Sequence, residues 1–208
     1  CNFSKTNTMK RLLFLLIAAS VLTAMRVATQ ELPIGSNIPS PTLKMKDADG
    51  QVFSFADVKR KNGLLVVFSC NTCPWVIKNQ QVAQEALQYA QSKQVGVIVL
   101  NSNAAQRTGD DAPEAMKAYA SKQNYQWPYV MDEESAMANA FGAKVTPECY
   151  LFDANLKLVY HGAVTDNPKT PDQSDRYHLK IAIDELISGK PISVTTSKAM
   201  GCTIKRKS

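Results

Sequence analysis

Two short apolar runs dominate the pattern of this chain, Leu64-Leu65-Val66-Val67-Phe68 and Val95-Gly96-Val97-Ile98-Val99-Leu100. Runs of this length, rich in β-branched residues, predict strands buried on both faces of a sheet. Between them, Pro74 to about Lys93 contains neither Gly nor Pro, and Val76, Ala83, Leu87 and Ala90 recur at helical spacing. That predicts one helix and, with the runs on either side, a βαβ pattern.

The flanking segments extend the same plan. Thr42–Lys46 alternates apolar and polar residues, Asp47–Gly50 reads as a turn, and Gln51–Phe55 returns, which predicts a hairpin. Asp111-Ala112-Pro113-Glu114 has the spacing of a capping box opening a helix to about Asn124. Trp127–Val130 predicts a short strand, and Ser135–Phe141 a short helix ended by Gly142. Cys149–Phe152 and Leu156–Tyr160 predict a second hairpin, and Tyr177–Ile187 a last helix stopped by Gly189 and Pro191. There is no repeat, no low-complexity tract and no second core. The expected fold is a single α/β domain, a central mixed β-sheet flanked by helices, with an N-terminal β-hairpin.

Composition adds little to this picture, and charge mainly excludes. The 208 residues are 45% hydrophobic and 20% charged, an ordinary globular balance. The net charge is +6, but Lys5, Lys10, Arg11 and Arg26 place +4 of it in residues 1–29, which hold no acid. The remaining +2, with a short basic end at Lys205-Arg206-Lys207, argues against a nucleic-acid partner.

The N-terminal charge belongs to a different pattern. Met9-Lys10-Arg11 precedes an uncharged apolar run of 13 residues, Leu12–Ala24, closed by Arg26. A bilayer span needs about 20 such residues, so the run suits a signal-peptide core. We expect residues 1–8 to be an upstream extension, 9–29 a signal peptide, and 30–208 the folded domain with a tail from about residue 190. The protein is then exported, to the periplasm or the extracellular space, and meets a membrane only where the leader stays uncleaved. Export places Cys70, Cys73, Cys149 and Cys202 in an oxidising compartment.

The candidate chemistry is Cys70-Asn71-Thr72-Cys73-Pro74, between the first apolar run and the helix. Two thiols at this spacing can close into a disulfide, and a helix N-terminus stabilises a thiolate, lowering the pKa from about 8.5. Pro74 suits the first helical turn, where its missing N–H is no loss. A zinc site would need two more ligands, and the chain holds only His161 and His178 and no second C-x-x-C. No metal and no other cofactor is expected. C-x-x-C beside a βαβ pattern favours redox chemistry. Cys149 reads as core, Glu148 as an exposed strand-edge charge or a proton relay, His161 as a strand end and His178 as helix surface.

With Val145-Thr146-Pro147 ahead of the Cys149 strand, the arrangement resembles the thioredoxin superfamily, in which a cis-proline before a late strand faces the dithiol. The matching stretches Phe68–Val76, Asp111–Lys117, Phe141–Pro147 and Gly201-Cys202-Thr203-Ile204-Lys205 resemble the peroxiredoxin-like redoxin branch over residues 40–206. The resemblance implies a thioredoxin-like domain and an oxidoreductase of disulfides or peroxides with antioxidant capacity. It implies catalytic roles for Cys73, Cys70 and Pro147, and substrate contact by Trp75, Thr146 and Pro74. Counted from Phe68, Cys73 stands at the nucleophile's place and Cys70 one step upstream. The P-x-x-x-T/S-x-x-C loop of peroxiredoxins is not present, which weighs against efficient peroxide reduction.

Cys202 remains open between a resolving thiol, a partner in another bridge and a small buried filler. Turnover needs a protein or small-molecule disulfide or peroxide and a separate thiol reductant. The alternative is a copper chaperone resembling the Sco type, which uses C-x-x-x-C-P and a distant His. Here the spacing is one residue short, and the His would be His161 or His178.

Overall fold

The computed structural model describes residues 30–207. The signal peptide expected at residues 9–29 and the extension expected at residues 1–8 lie outside the described residues. Among those described, no helix is long and apolar enough to cross a membrane.

The two apolar runs form the centre of the sheet. β3 (Leu64–Ser69) and β4 (Gly96–Asn101) are buried at every position and pair in parallel, Leu64 beside Gly96 through Ser69 beside Asn101. β5 (Tyr129–Met131) extends the sheet in parallel beyond β4. On the other side, β7 (Glu148–Phe152) runs antiparallel to β3, and β8 (Leu158–Gly162) antiparallel to β7. The order β5-β4-β3-β7-β8 is the expected mixed sheet. The N-terminal hairpin is also present, trimmed to β1 (Met45–Lys46) and β2 (Val52–Phe53).

Side-chain alternation divides each central strand between two apolar layers. Leu65, Val67, Val97 and Val99 pack on one face with Leu87, Leu179 and Ile183. Leu64, Val66, Ile98 and Leu100 pack on the other with Phe55, Phe141 and Ile204. Helix α3 (Gln80–Ser92) and helix α6 (His178–Ile187) cover the first layer. Helix α1 (Phe55–Val58) and helix α5 (Ala136–Phe141) cover the second.

Three elements differ from the sequence reading, each for a side-chain reason. The helix expected from Pro74 to Lys93 is split into α2 (Pro74–Lys78) and α3. The break is at Asn79, whose amide donates to the carbonyls of Trp75 (2.9 Å) and Pro168 (3.0 Å). Ser54 and Phe55, read as the end of the hairpin, cap and open α1 instead. There the Ser54 hydroxyl accepts from the Asp57 N–H, and the Asp57 carboxylate accepts from the Ser54 N–H. This is a capping box that the alternation masked. Helix α4 (Pro113–Lys122) begins at an Ala112 cap, not at Asp111. Asp111 is fully buried and accepts from Asn71 N (3.0 Å), Asn101 Nδ2 (2.7 Å) and Asn103 Nδ2 (2.8 Å).

The tail does not trail away. After α6 it runs along β8, where Thr196 bridges His161 in parallel. It ends in β9 (Cys202–Thr203), which pairs antiparallel with β6 (Val145–Thr146).

Phe141 joins α5 to the sheet. Its ring meets Phe68 at 5.3 Å, Tyr150 at 5.1 Å, Phe55 at 5.6 Å and Phe152 at 5.8 Å between centroids. Truncating such a residue removes transfer energy and leaves a cavity. Phe141→Ala is expected to cost about 3–5 kcal/mol in urea unfolding, with an unchanged m-value. A loss under about 1 kcal/mol would contradict this packing account.

Candidate redox site

The site forms where β3 ends. Cys70 follows the last residue of β3, and Cys73 is the N-cap of α2 with Pro74 in the first turn. Opposite them stands β6, whose Thr146 leads through a cis peptide into Pro147 and then β7. Cys70 and Cys73 are both buried, and Thr146 touches each. Its hydroxyl lies 3.2 Å from Cys70 Sγ, and its carbonyl oxygen 3.2 Å from Cys73 Sγ.

Cys73 and Cys202 are joined in a disulfide across 129 residues of sequence, with Cα atoms 6.0 Å apart. Cys70 and Cys149 are free thiols. The sequence reading paired Cys73 with Cys70 and left Cys202 open. The structure places all three thiols in one cluster with Val76 and the half-buried Trp75. Pro74 is exposed beside them.

The environments of the free thiols differ in kind. Burial pushes the Cys70 thiol up, and the Asp111 carboxylate adds to that. The Thr146 hydroxyl and the Cys73 and Thr72 N–H groups act in the opposite sense. Burial within β7 pushes Cys149 up to about 12, as expected of an inert core cysteine.

Glu148 is neither exposed nor at the thiols. It is buried at 3% exposure within β7. Its carboxylate accepts from Lys144 N (2.8 Å), Val145 N (3.1 Å) and Tyr150 Oη (3.2 Å), and lies 2.6 Å from His161 Nε2. A buried carboxylate is tolerable only with such partners. His161 is buried within β8 and stacks on Tyr150 at 4.3 Å. The copper reading needs one of the histidines as a ligand. No group of three His, Cys, Asp or Glu that could hold a metal ion occurs among the described residues. His178 is a half-buried first residue of α6.

The redoxin family profile matches residues 33–178, well over half of the chain. The chain belongs to the redoxin family. An uncharacterised conserved protein of Geobacillus kaustophilus is similar at 33% identity, over 84% of this chain and 93% of that one, with a TM-score of 0.75. A hypothetical protein of Sinorhizobium meliloti 1021 is similar at 28% identity, over 86% and 97%, with a TM-score of 0.76. The thioredoxin domain of a thiol-disulfide oxidoreductase of Bacteroides vulgatus shares the fold at 21% identity and a TM-score of 0.52, over 63% and 89%. Comparison with the curated proteins gave no match. The fold is thus thioredoxin-like, and the redoxin is an oxidoreductase.

Two residues that hold this redoxin site together escaped the sequence reading. Asp111 matched a local capping pattern, and the donors that bury it come from other elements. Glu148 carries a charge in a strand, and its partner His161 comes from β8, so only Tyr150, two residues on, was in its local pattern.

The shift at Cys70 has a definite sign. A thiol held above its ordinary value stays protonated to higher pH, so alkylation of Cys70 in the native protein should still be rising beyond pH 9. Thr146→Val removes a hydroxyl that favours the thiolate and should move that profile to higher pH. Labelling of Cys70 at pH 7 as fast as in the unfolded chain, or an unmoved profile in Thr146→Val, would contradict this assignment.

Proposed function

We propose that this redoxin is an exported thiol–disulfide oxidoreductase whose attacking sulfur is Cys73, with Cys202 and Cys70 as the thiols that resolve its mixed disulfide. The observation carrying this is that Cys73 is bonded to Cys202 while Cys70 lies free beside it, against the same Thr146. One sulfur therefore has two intramolecular partners.

In the reduced protein the Cys73 thiolate attacks a substrate disulfide, forming a mixed disulfide and releasing one substrate thiolate. Cys202 or Cys70 then attacks Cys73 Sγ, and the second substrate thiolate leaves. An external dithiol reduces the resulting internal disulfide and restores the starting state. Thr146, Pro147, Trp75 and Pro74 frame the surface at which substrate meets Cys73. A peroxide would instead convert Cys73 to a sulfenic acid, which Cys202 condenses with, releasing water. Without the peroxiredoxin activating loop that route should be the slower one. Export rests on the basic start and apolar run of residues 9–29, and supplies the compartment in which such bridges persist.

The test is the rate at which the reduced full chain cleaves oxidised glutathione and, separately, hydrogen peroxide. Cys73→Ser should reduce both rates to the uncatalysed background. Cys149→Ala should leave them within about twofold, since a buried core thiol takes no part. Disulfide cleavage that survives in Cys73→Ser would overturn the assignment of the attacking sulfur. A peroxide rate exceeding the disulfide rate would move this protein to the peroxidases.

A further inference from the structure

A second buried carboxylate joins the two chain segments that carry the bridged sulfurs. Asp111 is fully buried, and its two oxygens serve different segments. Oδ1 accepts from Asn71 N at 3.0 Å, and Asn71 lies inside the C-x-x-C loop, between Cys70 and Cys73. Oδ2 accepts from Asn103 Nδ2 at 2.8 Å. The other end of that amide, Asn103 Oδ1, accepts from Lys205 N at 2.8 Å, three residues after Cys202. Asp111 thus reaches the Cys73 loop through one backbone N–H and the Cys202 tail through one side chain.

The polarity of this place calls for a carboxylate. Ionised, it accepts at both oxygens and donates at neither. Asn103 must therefore turn its Nδ2 toward Asp111, which leaves its Oδ1 for the tail. Asn101 Nδ2 donates to the same Oδ1 as Asn71 does, at 2.7 Å, so both oxygens are engaged. The tail is held a second time at this point, where Ala105 N donates to Lys205 O at 2.9 Å.

A side-chain amide at position 111 would have one accepting end and one donating end. Turned one way, its donating end would meet the donors of Asn71 and Asn101. Turned the other way, it would meet Asn103. Asn103 would then turn over to accept from it, and would present its own Nδ2 to the Lys205 N–H, donor against donor. Either orientation releases one of the two segments.

We propose that Asp111 is a positioning residue for the Cys73–Cys202 bridge and sets how readily a thiol reductant opens it. It acts on Cys73 through Asn71 and on Cys202 through Asn103, which keeps the two sulfurs within bonding reach. The proposal rests on the reading that Cys73 exchanges with Cys202 in turnover. A bridge closes in proportion to the effective concentration of one thiol at the other, so a loosened segment yields a bridge that opens at lower reductant.

The test is the equilibrium of the full chain with glutathione. One glutathione thiolate attacks a bridge sulfur, and the other bridge sulfur leaves as a thiolate that takes a proton from water. A second glutathione thiolate attacks the glutathione sulfur of the mixed disulfide, giving the protein dithiol and oxidised glutathione. Acid quench, alkylation and peptide mapping read the fraction that keeps the Cys73–Cys202 link. Asp111→Asn should lower the equilibrium constant for bridge formation about tenfold, the contribution of one buried hydrogen bond. Asn103→Ala, which leaves the Asn71 contact in place, should lower it too. The double variant should fall no further than Asp111→Asn, because Asn103 acts through the same carboxylate. Ile183→Ala measures a merely structural change, since Ile183 is buried in the layer on the opposite face of the sheet from Ile204. That truncation should destabilise the fold and leave the bridge equilibrium within about twofold.

A folded Asp111→Asn with an unchanged equilibrium would overturn the proposal, as would an equal shift in Ile183→Ala or a double variant that falls by the product of the two single effects. Should Asp111→Asn not fold, Asn103→Ala decides, and an unchanged equilibrium there overturns it. The equilibrium is read without turnover, so it judges Asp111 whichever sulfur attacks substrate. Failure of the Cys73 reading shows separately, as cleavage of oxidised glutathione that persists in Cys73→Ser.

Discussion

A buried carboxylate holds the site in place. Glu148 receives the N–H groups of Lys144 and Val145, the hydroxyl of Tyr150 and the Nε2 edge of His161. An unpartnered carboxylate in this position would cost several kcal/mol, so the partners and the charge require one another. The two backbone donors are what connect it to chemistry. They fix the course of β6, and β6 ends in Thr146, the residue that meets all three thiols. Its hydroxyl faces Cys70, its carbonyl faces Cys73, and its backbone pairs with Cys202.

The thiols are distinguished by what surrounds them. Cys149, within the sheet, is held neutral by burial, and the adjacent Glu148 carboxylate adds to that. Cys70 is nearly as buried but lies against the Thr146 hydroxyl and two N–H groups, which partly offset the burial. Cys202 stands on β9, paired with β6, and is half-exposed. Cys73, at the head of α2, lies between these last two. A buried thiol, a bonded pair and an exposed edge are the parts from which an exchange relay can be built, because exchange depends on thiolate fraction and on access to the attacked sulfur.

Local patterns carried much of this to a reader of the sequence. The apolar runs at Leu64–Phe68 and Val95–Leu100 could only be buried strands, and the paired sheet follows from them. The helix–strand order, the hairpin and the strand–C-x-x-C–helix unit were legible because each signal lies within a few residues. What was not legible depends on partners far along the chain. Asn79 breaks a helix because Pro168 offers a carbonyl. Asp111 leaves its capping position because three asparagines surround it. Glu148 looked like a surface charge because its partner His161, on β8, meets it only once β7 and β8 are paired. The Ser54–Asp57 capping box is a different case, since its signal was local and the alternation before it concealed it.

The role of Cys202 shows the same limit. Its Gly-Cys pair was visible, yet nothing local distinguished a bridge from a filler. The proposed exchange site therefore depends on Cys73 having Cys202 as its partner in the oxidised protein. Peptide mapping by mass spectrometry of the protein, alkylated under acid quench and digested without reduction, reads this directly. It should find Cys73 linked to Cys202, with Cys70 and Cys149 as alkylated thiols. A Cys70–Cys73 link with an alkylated Cys202 would contradict it.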